Sequence, residues 1–166
     1  MKTLLFALLV GMTASAQLQL GQKEYFTGSV YVDPGGSIKE SGLNLGAEIE
    51  LVSYGGYVKA GVQSFDALEG GYFDLTGAGG VNVTYGTFED FRSYAGIRLG
   101  FIKRGYKTND SRTYPLFGLE AGTDYNINDV WFVGLRATYD YREDFIWSGA
   151  KEEFQGSGFV RAGFKF

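Results

Sequence analysis

WFVGLRATYDY, residues 131–141, puts Trp131, Val133, Leu135, Ala137, Tyr139 and Tyr141 on one side of an extended chain and Phe132, Gly134, Arg136, Thr138 and Asp140 on the other. Successive side chains of a strand point to opposite faces, so a period of two marks a strand, whereas a helix repeats its apolar residues every three or four. The same alternation recurs on both sides of this segment. Upstream, Phe117, Leu119, Ala121, Thr123 and Tyr125 oppose Gly118, Glu120, Gly122 and Asp124, and Ala95, Ile97, Leu99 and Phe101 oppose Tyr94, Gly96, Arg98 and Gly100. Further back, Phe73, Leu75, Val81, Val83 and Tyr85 oppose Asp74, Thr76, Asn82 and Thr84, and Leu43, Leu45, Ala47, Ile49 and Leu51 oppose Asn44, Gly46, Glu48 and Glu50. Downstream, Val160, Ala162, Phe164 and Phe166 oppose Phe159, Arg161, Gly163 and Lys165. Weaker runs at 25–32 and 57–65 bring the expected count to eight strands. No segment after Ala16 keeps a helical apolar period for three turns.

Composition agrees and removes several chemistries. The 166 residues contain 26 Gly, 12 Tyr, 14 Phe and only 2 Pro, a bias towards strands and tight turns. The chain has no Cys and no His. Disulfides, thiol nucleophiles and imidazole bases are therefore excluded. A net charge of −4 argues against nucleic acid as a partner. No carboxylate cluster has the spacing of a calcium loop, and nothing implies a cofactor.

The first sixteen residues, MKTLLFALLVGMTASA, combine Lys2, an apolar run and a small-x-small end at Ala14-Ser15-Ala16. This is the pattern of a cleaved export signal, leaving residues 17–166 as one domain. The apolar run is far too short for a membrane-spanning helix, which takes about 20 residues.

Alternation alone does not say which face looks inward. Three features predict that the apolar face looks outward. Connections alternate between long breaks, near 33–41, 103–113 and 143–154, with an intermediate one near 66–70, and short ones, near 53–56, 86–91 and 126–129. An up-and-down meander puts the two kinds at opposite ends, as membrane barrels do. The polar face carries Glu48, Glu50, Asp74, Glu120, Asp124 and Asp140 against Lys59, Arg98, Arg136, Arg161 and Lys165, with glycines between. A near-balanced set of charges and small residues suits a narrow lumen in which ions must pair. Aromatics gather towards strand ends, with Tyr25, Tyr54, Tyr57, Tyr85, Tyr125 and Trp131 at the turn end and Phe65, Phe73, Tyr106, Tyr114, Tyr141 and Trp147 at the loop end. Such rings favour membrane interfaces.

The chain ends in strand register at GFVRAGFKF, with Phe164 and the terminal Phe166 on the apolar face. This resembles the signal by which the barrel-insertion machinery recognises bacterial outer-membrane proteins. With the leader and eight strands, residues 17–166 resemble the small barrels of the OmpX, opacity-protein and OmpA transmembrane-domain type. The resemblance implies an all-β, eight-stranded antiparallel up-and-down transmembrane β-barrel in a bacterial outer membrane, in contact with its lipids and lipopolysaccharide. Eight spans of about 9–11 residues use roughly half the chain, so the expected domain is one barrel with nothing appended.

A barrel of eight strands is just wide enough to be filled by its own side chains. The expectation is therefore a non-enzymatic structural or surface-interacting protein, such as one serving adhesion or envelope integrity. A narrow channel for small solutes and a secreted soluble ligand-binding barrel are the alternatives. Glu48 and Glu50 lie two apart on one face, but Lys59 and the lumen arginines are expected to neutralise them rather than leave a catalytic pair. Gly77-Ala78-Gly79-Gly80 completes no phosphate loop and is read as room in a crowded lumen. Specific contacts are expected in the long loops. Lys103, Arg104, Lys107 and Arg112 form a basic segment suited to lipopolysaccharide phosphates, and Phe145 and Trp147 offer apolar contacts to a surface partner.

Overall fold

A computed structural model describes residues 24–39, 42–53, 55–66, 71–86, 90–105, 111–143 and 154–166. Residues 1–16, read from the sequence as an export signal, lie outside them. Eight strands follow in order: β1 (Tyr25–Val32), β2 (Leu43–Ser53), β3 (Gly56–Asp66), β4 (Tyr72–Tyr85), β5 (Phe91–Gly105), β6 (Ser111–Asn126), β7 (Trp131–Arg142) and β8 (Phe154–Lys165), with one short helix, α1 (Pro34–Lys39), between β1 and β2. Each strand pairs antiparallel with the next, and β8 returns to β1, closing a barrel. Closure leaves no sheet edge around the wall, which is what permits strands to stand in lipid. Phe26 and Phe166 seal the seam by exchanging backbone N–H···O bonds of 3.1 and 2.9 Å.

The alternation resolves as an inside-out protein. Leu99 and Leu135 are 60% and 59% exposed on the outer wall, while Glu120 and Arg136 are each 4% exposed on the axis. In water that arrangement would forfeit the hydrophobic gain of folding; in a bilayer it places every apolar strand face against acyl chains.

The turn end is tight. Two residues separate β2 from β3, and Gly55, the second of them, adopts a positive φ of 81°, the conformation that favours glycine in a short hairpin. At the other end the chain departs from the expected loops in two places. The 33–41 break contains α1, because Asp33 caps it by accepting from the Gly36 N–H at 2.8 Å and Pro34 fits its first position. The 103–113 break closes to residues 106–110, because Lys103 pairs with Thr113 and Arg104 with Arg112 in a continued ladder.

Strand lengths make the rim uneven. β5 and β6 have 15 and 16 residues, against 8 in β1 and 12 in β7 and β8. β7 pairs with β6 only from Leu116 onward, so residues 111–115 run past it, while on the other side β4 accompanies β5 as far as Tyr72 opposite Arg104. Pro115 occupies that unpaired edge, the position where a sheet tolerates a missing N–H and where proline deters further pairing.

Candidate functional site: a charged lumen and a projecting rim

The inward positions assemble an ion-pair network along the axis, with a further pair towards the loop end. Near the turn end, Glu50 of β2 receives both terminal nitrogens of Arg92, Arg161 at 3.3 Å and the Thr27 hydroxyl at 3.5 Å. Arg92 also reaches Asp124 at 3.2 Å. One step along β2, Glu48 pairs with Arg136, with Arg161 at 3.1 Å and with the Ser29 hydroxyl at 3.2 Å. Lys59 bridges Glu120 at 2.8 Å and Glu48 at 3.9 Å, and the Tyr57 hydroxyl donates to Glu120 at 2.6 Å. Towards the loop end Arg98 meets Asp140 at 3.2 Å, with Asp74 in the field of Arg98 and Arg142.

Among the described residues the interior buries seven carboxylates, Asp33, Glu48, Glu50, Asp74, Glu120, Asp124 and Asp140, and six cations, Lys59, Arg92, Arg98, Arg136, Arg142 and Arg161. Desolvating one charge costs several kcal/mol, so this near balance, with Asp33 held by the Gly36 N–H and the Asn44 amide, is what allows the interior to stay ionised. Aromatic faces supply further compensation. Arg136 stacks 4.1 Å from the Tyr31 ring, Arg142 4.5 Å from Tyr72, Arg161 5.0 Å from Phe132 and Lys59 4.6 Å from Tyr94.

Sequence reading missed Arg92 and Arg142, each one residue beyond where its strand was ended. Arg92 has the parity of Arg98, so extending that strand by one position finds it. Lys165 keeps the inward parity of Arg161 and sits at the turn-end mouth, half-buried with its ammonium 5.3 Å from the Tyr25 ring.

The aromatic reading requires correction. Tyr57, Phe65 and Tyr114 point into the lumen, because their parity matches Lys59, Gln63 and Leu116. Tyr25 shares the inward parity of Thr27. Outward rings nonetheless form two clusters. Phe26, Phe166, Phe164 and Trp131 run together at the turn end with centroid separations of 6.0, 5.6 and 5.9 Å, and Tyr85, Phe91 and Tyr125 continue there. Phe117, Tyr141, Phe154 and Tyr139 make the loop-end cluster. Phe164 and Phe166 thus stand on the outer wall.

The glycine run also divides. Gly77 and Gly79 face outward; only Gly80 faces in, where a Cβ would stand 2.1 Å from the Ala95 carbonyl. Its space is taken by the close approach of β5, not by lumen side chains.

The basic segment does not act as one patch. Lys103 is exposed on the outer face above Phe101, whereas Arg104 and Arg112 face each other across the ladder with inward parity. Lys107, Phe145 and Trp147 lie outside the described residues. No group of three or more Asp or Glu among the described residues is placed to hold a metal ion.

A closed eight-strand meander with a charged axis and an apolar outer wall is the fold of the small outer-membrane barrels. No family model and no curated protein matches the sequence. Solved structures do match. The N-terminal β-barrel domain of Pseudomonas aeruginosa OprF aligns with a TM-score of 0.58 at 12% identity over 87% of this chain and all of that one. Neisserial surface protein A aligns at 0.55 and 11% identity, covering 86% of this chain and 95% of that one. Yersinia pestis Ail, the attachment invasion locus protein, aligns at 0.51 and 13% identity, covering 86% and 97%, and a further structure of it holds the heparin analogue sucrose octasulfate. At these identities the likeness is one of fold.

Proposed function

We propose that this chain is a non-enzymatic integral protein of a bacterial outer membrane, exported by a cleaved leader at residues 1–16, with a structural or surface-interaction role. The observation that carries the reading is the orientation of the wall: Leu45, Leu99, Leu135 and Phe164 outside, and the ion-pair chain inside. That chain does structural work. Each carboxylate of the Glu48–Glu50 pair is held by two or more cations, an arrangement that suits a packed interior better than an acid–base site. Surface interaction belongs to the loop end of β5 and β6, where the exposed Lys103 offers positive charge to phosphorylated or sulfated saccharides. The sulfated sugar bound to Ail is of that class.

Envelope fractionation followed by electrophoresis with and without boiling tests the assignment. Recovery with outer-membrane markers and faster migration of the unboiled sample support it. Recovery in the soluble fraction with a single mobility contradicts it, and solute-selective conductance in planar bilayers favours the channel instead.

A further inference from the structure

The outer wall is not smooth. On the β3–β6 side an apolar groove of about 570 Å³ runs up the barrel, and its lining is almost wholly carbon. Its floor exists because two of the smallest residues meet in register, Ala60 of β3 opposite Gly77 of β4. Leu75, Leu99, Phe101 and Phe117 form its sides. Lys103 follows Phe101 on the same face of β5, about 7 Å further towards the loop end, and pairs in register with Phe73. Among the described residues no ion pair of Lys103 is found, and its side chain is exposed. An apolar slot with a lysine standing just beyond its loop end has the polarity of an acyl chain with an anionic headgroup.

We propose that this groove holds one acyl chain of a phosphorylated glycolipid of the outer leaflet, lipid A, with a phosphate on Lys103. The proposal rests on the membrane reading above. The loop end carries the lysine, and in that reading the loop end faces the outer leaflet, where the phosphorylated glycolipid resides. The apolar part of the contact comes from shape, since a flat wall gives every chain the same surface while a slot floored by Gly77 gives one chain more. The charged part selects the headgroup.

The test uses the full chain in phosphatidylcholine nanodiscs doped with lipid A, with bound lipids counted by native mass spectrometry. Gly77→Phe fills the groove; a Cβ there meets nothing closer than the Lys59 carbonyl at 3.8 Å, so the barrel can accept it. Retained lipid A should fall about tenfold, as expected for displacing two methylenes from the slot. Lys103→Gln should lower it about fivefold, the worth of one cation near an anionic lipid surface. Gly158→Phe adds equal bulk to the outer wall of β8, where a Cβ meets nothing within 4 Å, and should leave retention unchanged. Unchanged retention in Gly77→Phe, equal enrichment of phosphatidylglycerol, or a dimer abolished by Gly77→Phe would each overturn the proposal while the unboiled mobility shift of the same samples leaves the membrane assignment standing. A chain that neither enters the bilayer nor shows that shift removes both.

Discussion

Tyr94 of β5 and Gly122 of β6 stand directly opposite each other, and the tyrosine ring fills the space a side chain at 122 would take: a Cβ there would lie 2.5 Å from its Cζ. Tyr31 with Gly46 and Phe132 with Gly163 repeat the arrangement on two other strand pairs. Large inward rings laid over cross-strand glycines let a narrow barrel pack its axis without a gap, and they hold the planes on which Arg136 and Arg161 stack.

Gly122→Ala should therefore cost stability, about 1–3 kcal/mol, as expected for overpacking a filled interior. Gly158→Ala, made on the open outer wall, should be neutral or slightly stabilising. Urea titrations in lipid vesicles, read by the unboiled band, compare the two. Equal effects of both substitutions would mean that the Tyr94 ring does not set the cost.

Arg98 and Asp140 test the axis as an ion-pair structure. Arg98→Leu leaves a buried carboxylate short of its partner and should destabilise by about 3–5 kcal/mol, whereas the double change to Leu at both positions should recover much of that loss. A double-mutant cycle measures the coupling. Additive effects would show that the two charges, 3.2 Å apart, do not depend on each other.

Leu99→Arg separates lipid from water. In a bilayer an arginine on the outer wall costs about 2–4 kcal/mol near the midplane. On a solvated surface the same change at a 60%-exposed position stays within about 0.5 kcal/mol. The comparison of folding free energies in vesicles reads out which solvent Leu99 meets.

Fold and orientation were legible because a strand wall against lipid obeys one strict rule, the period of two, and a single shift of register would have turned Leu135 into the lumen and Arg136 into lipid. Strand ends were not. Arg92 and Arg142 fall where alternation gives way to a turn, and only cross-strand pairing decides whether such a residue still points inward. The direction of an aromatic was equally hidden near strand ends, since Tyr57 serves inside as a hydroxyl donor to Glu120 although its sequence position suits an interface. The groove at Ala60 and Gly77 arises from a register between two strands, which no single strand reveals.

The natural absence of cysteine permits single-site labelling. A fluorophore placed in turn at Leu99→Cys and Leu135→Cys, in vesicles containing brominated lipid, should be quenched by the bromines and shielded from aqueous iodide. Strong iodide quenching at both sites with none from the brominated chains would contradict the outward, lipid-facing wall.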